Sequence, residues 1–317
     1  MSTAIIAIVN PAAGRGKSLE AWTKVRAHLK CAVDTLQTEG PGHATHLATQ
    51  ALKQGADTIV AVGGDGTINE VVNGFFEQDR LISDTTCLAI VPHGTGSDFI
   101  KMLQLPANDE TAAALIQSKN QRRIDLMKVR YTKLDGSSAS RYAINVTSFG
   151  MGGAVASRVN RSTKIFGRKM SFVLATLRTA MTFPRNSVFM YFDNSKTIDA
   201  EVTNVAVGNG RYQGAGMLSC PCAAIDDGFL DVTVVQFLPA FQLLRNLPLL
   251  YNGKIYSHPR VQFHRVKSIR ADSNKVVLVE IDGETVGRLP IEISVMPQAL
   301  RISVFGQQSF TDGGFTL

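Results

Sequence analysis
The amino-acid sequence predicts an α/β chain in two parts: a doubly wound α/β domain over residues 1–125, then a β-sandwich domain over residues 126–317. Whether the last residues return to the first domain is left open. Three observations carry the prediction. Short apolar runs alternate with Ala-rich helical segments up to Asp125, the texture then changes to runs with few helices between them, and one apolar run breaks into a glycine loop that opens a helix.

In the first part Ile5 to Val9, Val33 to Leu36, Thr58 to Val62 and Leu88 to Val91 read as short buried strands. Between them lie the helical segments Leu19 to Lys30, Ala44 to Gln54 and Ile68 to Phe76. The strands before Gly63 and before Pro92 stand about one βαβ unit apart. Their C-terminal loops are therefore expected to converge on one crevice, where open α/β sheets bind ligands. In the second part Tyr142 to Phe149, Val188 to Phe192, Thr203 to Gly208, Phe229 to Phe237, Val276 to Ile281 and Ile291 to Val295 read as strands. The last alternates cleanly, as a strand with one wet face does. Lys164 to Thr182 and Leu238 to Leu250 are the expected helical exceptions.

The run Thr58-Ile-Val-Ala-Val-Gly-Gly-Asp-Gly-Thr67 carries the chemistry. Without a Cβ, Gly63, Gly64 and Gly66 let the backbone turn sharply and bring its N–H groups to phosphate oxygens, and the following helix adds its dipole. Asp65 would be repelled by phosphate, so its place suits a divalent ion or an attacking hydroxyl. Against this stands a plain helix start, since Thr67 and Glu70 fit a capping box. A second glycine loop, Pro92-His-Gly-Thr-Gly-Ser-Asp98, follows another apolar strand and offers Gly94, Thr95 and Asp98. Asn10 and Arg15 lie in the loop after the first strand, where a nucleotide contact and a solvated turn are both open readings. Gly14-Arg-Gly-Lys-Ser18 is not a P-loop, because Pro11 stands where that motif needs glycine. No Gly-x-Gly-x-x-Gly follows the first strand, which removes the support for a nicotinamide-dependent dehydrogenase. In the second part Asp226-Asp-Gly-Phe-Leu-Asp231 suits a hard cation or a hairpin turn. Asp282-Gly-Glu284 offers a carboxylate to an attacking alcohol.

A formal charge of +7 favours an anionic partner. From Gly136 to Phe192 there is no acidic residue, while Arg141, Arg158, Arg161, Lys164, Arg168, Lys169, Arg178 and Arg185 all fall there. Nucleic acid, an anionic membrane surface or a solvated face would each account for it. The four cysteines match neither a zinc spacing nor a disulfide framework and read as reduced thiols of a cytoplasmic protein. The N-terminus reads as a strand rather than a signal peptide, and no apolar run approaches the roughly 20 residues that span a bilayer.

Taken in order, Asn10-Pro with Gly14-Arg15, Gly63-Gly-Asp-Gly-Thr67 continuing to Asn73, Pro92-x-Gly-Thr-Gly-x-Asp98, Asn209-Gly-Arg-Tyr-x-Gly214, the Asp226 to Asp231 cluster and Asp282-Gly-Glu284 resemble the bacterial diacylglycerol kinase family. That family is similar in turn to sphingosine kinases and NAD kinases. The resemblance implies an ATP- and Mg²⁺-dependent lipid kinase, with diacylglycerol as acceptor and phosphatidic acid as product. An NAD kinase or other small-alcohol kinase is the alternative. It further implies nucleotide contacts from Asn10, Gly63, Gly64, Gly66, Thr67, Gly94 and Thr95. Asp65, Asp98 and Glu284 are the catalytic candidates, with either Asp65 or Glu284 as general base. A Mg²⁺ site formed by Asp226, Asp227 and the Leu230 carbonyl is implied, as is a supporting network of Arg15, Asp125 and Asp282. Ser97 stands where the family has Asn. The expected partners are a lipid alcohol and the inner face of an anionic membrane, met peripherally, with no nucleic acid and with a homodimer left open. Phe237 to Leu244 reads as a helix packed on the sandwich core, with membrane contact as its other use.

Overall fold
The computed structural model describes residues 4–93, 98–103, 105, 108–118, 120–161, 179, 182–193 and 195–305. The chain divides into two compact units, one holding the residues up to Asp125 together with the segment from Gln298, the other holding Leu126–Pro297.

In the first unit β1 (Ile5–Val9), β2 (Val33–Gln37), β3 (Thr58–Gly63) and β6 (Cys87–Pro92) are parallel, in the order β6-β3-β1-β2. The tiny hairpin β4 (Phe76–Glu77) and β5 (Arg80–Leu81) lies off this sheet. A parallel sheet covered on both faces needs apolar residues at every position, and all five residues of β1 are buried. On one face α1 (Ser18–Ala27) and α5 (Asp109–Gln117) close over it, with Trp22, Val25, Ala112 and Ile116 in one cluster with Val9, Val62 and Val91. The indole N–H of Trp22 donates to Thr35 Oγ1 at 3.0 Å, which satisfies the one polar atom that side chain buries. The other helices are α2 (His43–Lys53), α3 (Asp65–Gly74) and the short α4 (Ile100–Leu103). The register pairs Val9 with Val62, Val62 with Val91 and Gly63 with Pro92, so the loops after β1, β3 and β6 leave one edge of the sheet.

The second unit is antiparallel and β-rich. Its strands are β7 (Gln121–Thr132, beginning in the first unit), β8 (Ser138–Ala143), β9 (Val146–Gly150), β10 (Asn186–Phe192), β11 (Lys196–Gly208), β12 (Tyr212–Gln213), β13 (Met217–Leu218), β14 (Leu230–Gln236), β15 (Val261–Val266), β16 (Ser268–Asp272), β17 (Leu278–Ile281) and β18 (Glu284–Ser303, ending in the first unit). β11 pairs with β10 along its first half and with β9 along its second. The ladder then runs β10-β16-β18-β17 and back to β9, so the pairing closes on itself. Inside lies a cluster that includes Phe149, Met190, Val205, Val232, Ile269, Ile281 and Ile293. Among the described residues the α-helices α6 (Met151–Arg161) and α7 (Ala240–Tyr251) accompany the strands.

Two local expectations change, and a third is not tested. Tyr142 to Phe149 is two strands, because the chain breaks between β8 and β9 around Ile144-Asn145. Glu70 forms no capping box: its carboxylate accepts the Ala44 N–H at 3.2 Å, and α3 is capped at Gly64, which has no side chain to give. The expected helix Lys164 to Thr182 lies almost wholly outside the described residues.

Helices α2 and α3 pack at Gly74, where a Cβ would meet the Thr45 carbonyl oxygen at 2.5 Å and Ala48 Cβ at 2.6 Å. Backbone cannot retreat cheaply from such a contact. Gly74→Ala is expected to destabilise the protein by about 1–3 kcal/mol, read as a lower urea midpoint at unchanged slope.

Candidate active site
Three loops meet at the C-terminal edge of the first unit's sheet. The Asn10 N–H donates to the Val62 carbonyl and the His93 N–H to the Gly63 carbonyl, at 3.1 and 2.8 Å. Asn10 Nδ2 donates to Thr67 Oγ1 at 3.0 Å, while its Oδ1 accepts the Ala12 N–H at 3.0 Å. The loop beyond turns through three successive left-handed residues, Gly14, Arg15 and Gly16. Gly14 has no alternative, since a Cβ there would lie 2.2 Å from the His93 ring. Gly63 is equally constrained, because a Cβ would lie 2.5 Å from Thr67 Oγ1.

Asp65 is the first residue of α3. Its Oδ2 accepts the Asp98 N–H at 3.1 Å and its Oδ1 the Phe99 N–H at 3.4 Å, so one carboxylate ties the loop after β3 to the chain that follows β6. A negative charge at a helix N-terminus is also favoured by the dipole. Asp98 is buried and its carboxylate accepts from Lys101 Nζ at 2.7 Å. Gly64 and Gly66 flank Asp65, and Thr67 is buried behind it. Gly94, Thr95 and Ser97 lie outside the described residues. Arg15 is exposed. Asp125 is fully buried, and its carboxylate accepts the Gln298 N–H at 2.7 Å.

In the second unit three carboxylates stand on five residues and do three different things. Asp282, at a left-handed turn, accepts the N–H groups of Ile144, Asn145 and Val146 at 2.9, 3.0 and 3.1 Å. It fixes the break between β8 and β9. Glu284 is half-exposed and its Oε2 accepts from Arg141 Nη1 at 2.6 Å. Glu280, which the sequence reading passed over, is 3% exposed. It accepts from Ser148 Oγ at 2.6 Å, from the Gly283 N–H at 2.8 Å and from Gln213 Nε2. Burial pushes its carboxyl up to about 7; the Ser148 and Gly283 bonds oppose this and the neighbouring Asp282 charge adds to it. Its signal was present in the sequence: a carboxylate in the apolar strand Leu278-Val-Glu-Ile281 needs a reason. The Asn209 to Gly214 run closes the same region. Asn209 Nδ2 donates to the Ile144 carbonyl, and Asn145 Nδ2 to the Tyr212 carbonyl, both at 2.8 Å.

The acidic turn holds an arginine that sequence reasoning missed. Arg265 Nε donates to Asp231 Oδ1 at 2.9 Å, and Nη1 lies 3.6 Å from Asp227 Oδ2. Asp227 Oδ1 accepts the Phe229 N–H at 3.0 Å, and Leu230 is a buried strand residue paired with Val266. Burial raises the Asp231 carboxyl, against the pull of Arg265. No group of three or more His, Cys, Asp or Glu side chains among the described residues is placed to hold a metal ion. With its guanidinium against Asp227 and Asp231, Arg265 offsets two of the turn's three carboxylates.

An α/β unit whose glycine loop presents a carboxylate at a helix N-terminus, followed by a closed antiparallel unit, is the diacylglycerol kinase and NAD kinase-like fold. The model of the diacylglycerol kinase catalytic domain matches residues 4–129, and that of the YegS C-terminal NAD kinase beta sandwich-like domain matches residues 145–304. A diacylglycerol kinase of Mycobacterium tuberculosis is 30% identical over 305 residues, which cover 94% of this chain and 94% of that protein. A Xanthomonas oryzae protein named "Probable lipid kinase YegS-like" is 31% identical over 292 residues, 87% of this chain and 91% of its own. A diacylglycerol kinase structure from Bacillus anthracis superposes with a TM-score of 0.68 at 23% identity, over 96% of this chain and 97% of that one. Yeast NADH kinase does so with a TM-score of 0.50 at 13% identity, over 95% and 83%. These two structures show the shared fold. The chain belongs to the diacylglycerol kinase family of lipid kinases.

Because the folded carboxyl of Glu280 binds its proton more tightly than the unfolded one, its contribution to stability is fully present below the usual carboxylate pKa of 4.5 and is lost as pH rises to about 7. Urea denaturation across that window should show the wild type losing roughly 3 kcal/mol relative to Glu280→Gln, with a flat difference above it. A difference that is flat throughout would mean that the buried carboxyl is ionised across the whole range.

Proposed function
We propose that the chain transfers the γ-phosphate of ATP to the primary hydroxyl of a lipid alcohol, with diacylglycerol as acceptor and phosphatidic acid as product, at an anionic membrane surface met from one side. The observation that carries this is the Asp65 carboxylate accepting the N–H groups of Asp98 and Phe99, which binds two strand-end loops into one polar unit. Phosphoryl transfer asks a protein mainly for positioning and charge neutralisation; such a unit supplies the positioning, and a cation held by its carboxylate would supply the neutralisation.

In this reading Asn10, Gly63, Gly64, Gly66 and Thr67 receive the nucleotide, together with Gly94 and Thr95. The Asp65 carboxylate, which accepts the Asp98 backbone N–H, is the hard oxygen donor that would stand beside Mg²⁺ and the phosphate oxygens. When bound there, Mg²⁺ supplies neutralisation of charge on the transferred group. The lipid hydroxyl oxygen forms its bond to the γ-phosphorus, the bond from that phosphorus to the β,γ-bridging oxygen breaks, and ADP leaves. Glu284 takes the hydroxyl proton, and Arg141 holds that carboxylate in one orientation. Asp282 acts one step removed, by fixing the turn on which Glu284 stands.

The test is transfer of labelled γ-phosphate from Mg·ATP to lipid alcohols in mixed micelles, with NAD as a parallel acceptor. Asp65→Asn is expected to lower turnover by about 10²-fold or more, with the thermal transition lowered by the loss of one N–H acceptor but the protein still folded. Full turnover in that variant would remove Asp65 from the mechanism, and phosphorylated NAD in place of a lipid product would replace the lipid reading. Glu284→Gln should lower kcat by about 10²-fold or more while leaving the KM for ATP unchanged. A rise in that KM alone would make Glu284 a nucleotide contact instead.

A further inference from the structure
Helix α7 wears its apolar face outward. Of its 12 residues none is buried, although nine are apolar in the run Ala240-Phe-Gln-Leu-Leu-Arg-Asn-Leu-Pro-Leu-Leu-Tyr251. Phe241, Leu244, Pro248 and Tyr251 are exposed, and their spacing of three, four and three places them on one side of the helix. Phe241 is 73% exposed, an extreme value for a phenylalanine. The polar residue Asn246 points the other way: it is half-buried and its amide lies 3.2 Å from His258 Nε2. Leu243, Leu247 and Leu250 are half-buried beside it. A helix facing water on that side carries mainly polar residues there, whereas α7 has only Gln242 and Arg245 as polar residues among its exposed ones; Leu238 of the run is buried, but no residue of the helix itself is.

The charge around the helix selects what covers it. From Val232 to Ala271 the chain has no Asp or Glu, while Arg245, Lys254 and Arg260 are exposed on or just after α7. Arg260 is anchored at the helix start through the Phe237 carbonyl at 3.0 Å. An apolar stripe with Arg245, Lys254 and Arg260 beside it, and Arg185 over the Phe237 ring offsetting Glu201 at the helix start, is complementary to acyl chains beneath anionic headgroups. It is poorly matched to a second copy of itself, which would set like charges against each other. At a rise of about 1.5 Å per residue, a helix this short cannot cross a hydrocarbon core about 30 Å thick, so it lies in the interface plane.

We infer that α7 is the element by which this protein inserts into an anionic membrane surface, with Phe241, Leu244, Pro248 and Tyr251 entering the acyl boundary and Arg245, Lys254 and Arg260 holding headgroup phosphates. The inference rests on the reading that the acceptor is a lipid, and it names the surface that meets the bilayer.

The full-length chain supplies its own probe, because Trp22 is the only tryptophan and is buried. Phe241→Trp should shift its emission to the blue with phosphatidylcholine vesicles doped with phosphatidylglycerol, be quenched by brominated acyl chains, and shift little with phosphatidylcholine alone. The double variant Phe241→Ser, Leu244→Ser should lose about tenfold or more in vesicle sedimentation, at unchanged turnover of a water-soluble short-chain diacylglycerol. Unshifted emission while the protein pellets, or no pelleting at all, would overturn the inference. So would a double variant that turns a dimer into a monomer and pellets as before, which would make the stripe a contact between copies. If the emission shifts and the variant loses binding but no lipid alcohol is phosphorylated, the inference stands and the proposed reaction fails.

Discussion
The carboxylate of Asp65 is the point on which the first unit's polar edge depends. It stands at the N-terminus of α3 and accepts two backbone N–H groups from the chain beyond β6, at 3.1 and 3.4 Å. Those donors have no helical partners at that position, so the bonds satisfy orphan groups and restrain a loop at once. The arrangement is available only because Gly63 has no Cβ. Any side chain there would push Thr67 away and with it the Asn10–Thr67 bond, at 3.0 Å, that ties the loop after β1 to the same place. A conformational requirement of one glycine thus propagates to three loops, and the parallel register delivers all three to one edge.

In the second unit, environment sorts carboxylates of similar chemistry into different roles. Asp282 spends its lone pairs on three consecutive N–H groups and is a structural clamp. Glu280 is buried deeply enough that desolvation outweighs its hydrogen bonds, so it titrates near neutrality. Glu284 stays half-exposed against Arg141 and keeps access to solvent. A proton acceptor has to reach its substrate, and of the three only Glu284 combines exposure with a fixed orientation. Such sorting is decided by burial and donor count, neither of which a motif records.

The elements that were legible in the sequence are those with strong local signals. The buried strands of the first unit read as continuous apolar runs because both faces of that sheet are covered, and the glycine loop read as a ligand loop because Gly-Gly-Asp-Gly is expensive without a purpose. β7 and β15 did carry a local signal, since Met127-Lys-Val-Arg-Tyr-Thr132 and Val261-Gln-Phe-His264 alternate apolar and polar residues, and the sequence reading passed over both. Other features depend on partners far along the chain. Arg141 with Glu284, Gln213 with Glu280 and Arg265 with Asp231 join residues dozens to more than a hundred positions apart. The capping box failed for the same reason: Thr67 and Glu70 each found a better tertiary partner, in Asn10 and in the Ala44 N–H.

The acidic turn shows how one distant residue changes the chemistry of a motif. Three carboxylates in six residues form a strong oxygen donor set for a hard cation when taken alone. Arg265, delivered by β15 opposite β14, brings to two of them, Asp227 and Asp231, a delocalised charge that needs little dehydration. Its Nη2 also donates to the Cys222 carbonyl at 3.1 Å, so the same fork staples the Cys220-Pro-Cys222 segment to the turn. A metal ion would leave with chelation or acid, whereas a guanidinium is covalently part of the strand it stabilises and stays charged across the working range of pH. Asp231, at 2% exposure, could not remain ionised without some cation at this distance, and here the chain carries its own.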